Sequence, residues 1–212
     1  WQEQIGFPIL SVITYVPLAG VAVALLFGRA RPLVYKSAAL LTTMGAFALA
    51  CVMLLRLDTT ASGMQFAEDA AWIERFSIRY GFGVDGIAAL LVFLTTLLGV
   101  VAIIASWHYV KDRERGFFIS LLLLQTGMSG VFCATDALLF YVFFEAMLIP
   151  MFILIGIWGG PRRVYATIKF FIYTFLGSIF MLIGLIYLYQ KAGTFNLHAL
   201  AALPLSMTEQ TW

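Results

Sequence analysis

Glu145 sits in the middle of DALLFYVFFEAMLIPMFILIGIWGG (Asp136–Gly160), nine residues past Asp136. On a straight helix that spacing puts its carboxyl about 14 Å from the helix start. A Glu side chain is too short to reach back to water from such a depth. Holding a carboxylate at mid-membrane costs on the order of 2.5 kcal/mol or more, so such a residue faces a helix interior, a partner or water. Pro150 follows five residues later and has no N–H to give the Ala146 carbonyl, which leaves a free acceptor and a point of local kinking beside the acid. The chemistry open to this pair is proton or ion handling; the structural alternative is a protonated Glu that glues two helices together. Lys169, in YATIKFFIYTFLGSIF, is the second ionisable residue in an apolar run. Six residues past Arg163, it either snorkels to the interface or takes part in the same chemistry.

These residues need elements that hold them in an apolar medium, and the composition supplies one. Of 212 residues, 62% are hydrophobic and 11% charged, with a mean hydropathy of +0.96. Soluble domains carry about 25% charged residues, so a soluble globular enzyme is excluded and an integral membrane protein is expected. The net charge of +2 gives no basis for nucleic-acid binding. Six runs have the roughly 20 apolar residues a span requires, near 7–27, 33–55, 84–106, 116–135, 137–158 and 165–190. The expected fold is all-α, a polytopic bundle of about six transmembrane helices forming a single membrane domain over 1–212. The longest connection, 56–83, is predicted to lie outside, with a short surface helix at Asp69–Phe76. The chain begins at Trp1 rather than Met and has no basic segment ahead of its first apolar run, so no cleaved signal is expected. It ends at Trp212 after a polar stretch, and a longer natural chain is expected.

Sidedness follows from Lys and Arg. Arg29, Arg31, Lys36, Lys111, Arg113, Arg115, Arg162, Arg163 and Lys169 fall on one side; Arg56, Arg75, Arg79 and Lys191 fall on the other. The sparse side also holds Glu3, Asp58, Glu68, Asp69, Glu74, Asp85, Asp136 and Glu209. Both ends are therefore predicted outside, with three basic loops in the cytoplasm. Helices five and six pack antiparallel around Pro161–Arg162. That register sets Lys169 level with Leu154 and Glu145 level with Ser178, an axial gap of about 14 Å. A direct salt bridge is not expected; Tyr141, Tyr173 and Ser178 are the polar stepping points between them.

The other candidates have plainer readings. Asp85 and Asp136 stand where helix N-caps belong. The KDRER cluster at Lys111–Arg115 reads as a solvated loop. Arg162 and Arg163, after a Gly-Gly-Pro turn, suit lipid phosphates or a neighbouring subunit. His108, His198, Cys51 and Cys133 have no metal-ligand spacing, and the last two read as small buried hydrophobes. No nucleotide-binding, phosphate-loop or redox signature occurs, so no catalytic residue, cofactor site or metal site is expected in this chain.

FFEAMLIPMFILIGIWGG (Phe143–Gly160), followed by RRVYATIKFFIYT (Arg162–Thr174) and preceded by GFGVDGIAALL (Gly81–Leu91), resembles the M-type, antiporter-like membrane subunits of respiratory complex I, the proton-translocating NADH:quinone oxidoreductase. Mrp-type cation/proton antiporters and membrane-bound hydrogenases share the pattern. The resemblance implies that this chain is the first half of a bundle of about fourteen helices, set among other membrane-arm subunits in the lipid bilayer of a bacterial inner membrane. It implies that Glu145 works in proton translocation with a Lys on a seventh helix, which these residues do not include, and that Lys169 occupies the family's sixth-helix KFFIY position. NADH, FMN, the iron–sulfur clusters and quinone are implied in partner subunits. The alternatives are an Mrp-type antiporter subunit and a non-conducting membrane scaffold.

Overall fold

A computed structural model describes residues 6–27, 31–58, 60, 61 and 63–206. Among the described residues, six helices are long and apolar enough to cross a membrane: α1 (Ile9–Leu26), α2 (Pro32–Arg56), α3 (Gly86–Ser106), α4 (Glu114–Cys133), α5 (Ala137–Trp158) and α6 (Arg163–Ala192). A short α7 (Leu197–Ala201) follows. Pro32 starts α2, where a missing N–H costs nothing. Gly193, at φ 69°, ends α6 in the left-handed conformation that an L side chain resists. Glu3, Arg29 and Glu209, used in the sidedness prediction, lie outside the described residues, as do both chain ends.

Helix α4 is the hub: it packs on α1, α2, α3 and α5, while α6 packs chiefly on α5. The sequence explains the asymmetry. Lipid gives apolar faces no reason to associate, so tight helix contacts need small residues that let backbones approach. On α4, a Cβ added at Gly127 would stand 2.7 Å from Met147 Cβ, and one at Gly130 would run into the Phe143 ring. These two glycines seat α5 against α4. On α6 only Thr167 and Ser178 are buried, and the rest of that helix presents an apolar surface.

The connection between α2 and α3 departs from expectation. In place of a surface helix at Asp69–Phe76, β1 (Gln65–Ile73) and β2 (Ile78–Val84) form an antiparallel hairpin joined by a 3-10 turn at Glu74–Phe76. Ser77, at φ 52°, closes the turn. The segment carries aromatic and β-branched residues at Phe66, Trp72, Ile73, Ile78, Tyr80, Phe82 and Val84, which fit a pleated surface better than a helix. A bulge between Gln65 and Glu68, with Phe66 at φ 53°, shifts the alternation by one residue and turns both Gln65 and Glu68 inward. Strand β2 continues laterally: the Thr135 N–H donates to the Gly81 carbonyl (2.9 Å), and the Ala137 N–H donates to the Phe195 carbonyl (2.8 Å). The hairpin thus ties the end of α4, the start of α5 and the end of α6 together on one face of the bundle.

Candidate functional site

The start of α5 is set by Asp136, which is 3% exposed and accepts from the N–H groups of Leu138 (3.0 Å) and Leu139 (3.1 Å). It also accepts from the Arg79 N–H of β2 at 3.3 Å. Asp85 caps α3 in the same way through the Ala88 N–H at 2.7 Å. Nine residues past its cap, α5 carries Glu145 into the middle of the bundle's thickness. Its Oε1 is buried and has no hydrogen-bond partner. A buried carboxyl oxygen left without a partner is costly.

Around that oxygen the structure gathers a small polar group. Tyr141, one turn earlier on α5, couples both to Glu145 and to Ser178 of α6. Ser178 is 2% exposed, and its hydroxyl donates to the Phe175 carbonyl at 2.9 Å. Pro150 is buried on the next turn, and α5 continues through it to Trp158, leaving the Ala146 carbonyl without its usual donor. On α4, the Gly127–Met147 and Gly130–Phe143 contacts set Ser129 at the depth of Glu145. The Ser129 hydroxyl is buried without a partner, as are Thr14 Oγ1 of α1 and Gln125 Nε2 of α4.

Lys169 and Tyr173 stand apart from this group. The Phe152–Phe171 ring contact (5.3 Å) and the Gly156–Thr167 packing fix the α5–α6 register. Lys169 comes level with Leu154, on an exposed part of α6, with its ammonium 5.9 Å from the Tyr165 ring. Glu145 and Lys169 form no salt bridge. Tyr173, expected as a stepping point between them, is 84% exposed and points away from Tyr141 and Ser178. The helical phase explains it: five residues separate Tyr173 from Ser178, well over one turn, so the two project in different directions.

Three features escaped the sequence reading. Lys36, counted there only for its side of the membrane, lies inside α2 at 9% exposure. Its Nζ sits 2.7 Å from Glu114 Oε2 and donates to the Trp107 carbonyl at 3.0 Å, while the Tyr35 hydroxyl donates to the same carboxylate at 3.1 Å. Glu68 of β1, 2% exposed, accepts from the N–H groups of Leu10 (2.8 Å) and Ser11 (3.1 Å) and from the Ser11 hydroxyl. It caps α1 from across the fold, where Pro8 offers no side chain for the task. The third is the unpartnered trio on α1 and α4; its only trace in the sequence is the polar interruption Gln125-Thr126-Gly127-Met128-Ser129 in an apolar run. No group of three or more metal-ligating side chains occurs among the described residues.

Two family profiles match in succession: one described as NADH-ubiquinone oxidoreductase chain 4, amino terminus, over residues 32–129, and one described as NADH:quinone oxidoreductase/Mrp antiporter over residues 134–212. The NADH-quinone oxidoreductase subunit M of Rhodobacter capsulatus is 47% identical over 190 residues, which is 88% of this chain and 36% of that protein. A chain of respiratory complex I from Thermus thermophilus superimposes with a TM-score of 0.75 at 27% identity, over 92% of this chain and 40% of that one. A chain of the archaeal membrane-bound sulfane sulfur reductase shares the fold, with a TM-score of 0.79 at 20% identity over 93% of this chain and 40% of its own. The chain therefore spans about two fifths of the length of the proteins it matches. The two profiles, which between them match most of residues 32–212, and the subunit M likeness show that this chain belongs to the NADH:quinone oxidoreductase/Mrp antiporter family of membrane subunits.

Proposed function

We propose that this chain forms part of a proton-translocating membrane subunit of an NADH:quinone oxidoreductase, with Glu145 as the residue that takes up and releases the transported proton. The observation that carries the reading is the buried, unpartnered Glu145 Oε1 at mid-helix, beside Tyr141 and Ser178. Placed there, an acid responds to any nearby cation that moves. The work required is about 2.3 kcal/mol per charge per 100 mV of membrane potential, within the range a buried carboxyl can exchange with its surroundings. Tyr141 and Ser178 form one side of the proton's route. Pro150, by freeing the Ala146 carbonyl, supplies an acceptor for water on the other. Lys169 acts through intervening water rather than by contact.

In this reading the redox chemistry of NADH, FMN, iron–sulfur clusters and quinone belongs to partner subunits, and this chain provides no redox group. Its neighbours are other membrane-arm subunits and the bilayer of a bacterial inner membrane. The basic face at 31–36, 107–115 and 159–163 lies in the cytoplasm and the hairpin outside, by the positive-inside rule. The second reading, an Mrp-type cation/proton antiporter subunit, draws on the shared description of the profile at 134–212.

The test is NADH-driven proton uptake in inverted membranes carrying Glu145→Gln, normalised to assembled complex and compared with quinone reduction. Loss of pumping with the complex intact is expected. Unchanged pumping would reduce Glu145 to a packing acid and favour a scaffold. Absence of NADH-linked activity in the parent membranes, with sodium-dependent proton exchange in its place, would favour the antiporter.

A further inference from the structure

On the basic face, two adjoining cavities open between the ends of α1, α4, α5 and α6. The larger, about 690 Å³, has Lys111, Arg113 and Arg115 on its rim and Leu25, Ile119, Leu123 and Ile153 on its wall. The smaller, about 550 Å³, is lined by Arg113, Arg163, Asp112 and Trp158. Arg113, Ile157 and Trp158 are common to both. Arg113 is held at φ 51° as the residue before α4, a left-handed geometry uncommon for a side-chain-bearing residue.

The charges in this place are not neutralised locally. Glu114 also lines the larger cavity, but it is matched by Lys36 at 2.7 Å and by the Tyr35 hydroxyl. That leaves Lys111, Arg113, Arg115 and Arg163 against Asp112 alone. Two of the guanidinium groups are positioned by backbone carbonyls: Arg115 Nη2 donates to Leu25 (3.1 Å) and Arg163 Nη1 to Ile157 (2.9 Å). The Nε of Arg115 is buried and has no partner. The indole of Trp158 donates to the Asp112 carbonyl at 2.8 Å and packs edge-on against Phe117. This is the amphipathic arrangement of a residue at a membrane interface.

A rim of four cations with an unused N–H, set above an apolar groove that descends along α1, α4 and α5, is complementary to one class of molecule. We infer that this cleft binds an anionic glycerophospholipid, its phosphate among Arg113, Arg115 and Arg163 and one acyl chain along Leu25, Ile119, Leu123 and Ile153. Guanidinium forks suit phosphate oxygens, and basic pockets between membrane helices on this side hold anionic headgroups. The site lies at the opposite end of α5 from its Asp136 cap and is separate from the Glu145 group. It depends on the chain spanning a bilayer but not on the proton-translocation reading.

The full-length subunit in its assembled complex, stripped of lipid, would be reconstituted with a trace of phosphatidylglycerol carrying a photoactivatable acyl chain, and the labelled peptides mapped. Labelling is expected on residues 116–123 and 153–158. Excess unlabelled phosphatidylglycerol should compete for it, and equal phosphatidylcholine should not. Arg113→Gln with Arg163→Gln should reduce it roughly thirtyfold per assembled complex, at about a factor of five per charge removed, while Arg113→Lys with Arg163→Lys retains most of it and Arg75→Gln, on the other face, changes nothing. Equal competition by phosphatidylcholine, displacement by inorganic phosphate alone, or undiminished labelling in the glutamine pair would each overturn the inference.

Discussion

Replacing Glu68 by alanine removes the carboxylate that completes the start of α1, and the geometry sets the size of the loss. The first turn of α1 has free N–H groups at Ile9, Leu10 and Ser11, because the first helical bond is Val12 N–H to Pro8 carbonyl at 3.1 Å. Glu68 takes two of them, Leu10 at 2.8 Å and Ser11 at 3.1 Å. Leu10 is wholly buried, so water has poor access to its amide once the acceptor is gone. An unsatisfied buried donor costs about 1–3 kcal/mol, and lost caps cost about 0.5–2 kcal/mol. Glu68→Ala should therefore weaken the local structure by about 3 kcal/mol, a roughly hundredfold rise in opening. The readout is hydrogen exchange of the Leu10 and Ser11 amides in the assembled complex, followed by mass spectrometry of the peptide over 7–14. Glu68→Gln keeps one acceptor oxygen and should raise exchange only about fivefold, the cost of replacing a charge-assisted bond with a neutral one. Ser11→Ala, which removes only the hydroxyl contact, should do less still. Exchange within about threefold of the parent in Glu68→Ala would refute the capping argument. So would equal acceleration in the Gln and Ala variants.

The remaining expectations concern packing, the buried ion pair and the outer loop. Gly130→Ala drives a methyl into the Phe143 ring and should cost about 1–3 kcal/mol by forcing α5 off α4. Gly45→Ala, whose new Cβ meets Val16 at an ordinary 3.8 Å, should leave the thermal midpoint of the assembled complex unchanged. Lys36→Met strands Glu114 with only the Tyr35 hydroxyl and should destabilise by about 2–4 kcal/mol, as breaking a mostly buried pair does. A Lys36→Met/Glu114→Gln double variant recovering part of that loss in thermal inactivation is the check. The Thr60 hydroxyl and N–H hold the Asp58 carboxyl below its ordinary value. The stabilisation they share is therefore complete above the usual carboxylate range and is lost as pH falls through the depressed value. Thr60 amide exchange, corrected for intrinsic rates, should rise only at acid pH, and Asp58→Asn should abolish that dependence.

The helical framework was legible because the physics that produces it is local. Each long apolar run has to satisfy its own backbone in lipid, and only a helix does so within one segment. The caps at Asp85 and Asp136, the position of Glu145 within α5 and the α5–α6 register all follow from counting along one chain. The hairpin was misjudged because a 3.6-residue and a 2-residue pattern look alike in a short segment interrupted by a bulge. The Lys36–Glu114 pair was not legible because a charge near a helix end looks the same in sequence whether it meets water or a carboxylate brought by another helix.

Composition and apolar run length alone determined that the described residues hold six membrane-spanning helices with one acid at mid-span, since burial of the peptide group and of a charge depends on the medium. Tertiary structure decided which polar atoms meet. The bulge at Phe66 turns Glu68 inward to cap α1. The glycines of α4 seat Met147 and the Phe143 ring of α5 against it, and at that depth Glu145 Oε1 is buried without a partner. The phase of α6 sends Ser178 inward and Tyr173 outward. The first two depend on the angle and distance between segments far apart in the chain; for the third, spacing along α6 sets the phase between Ser178 and Tyr173, and packing on α5 decides which of them faces inward.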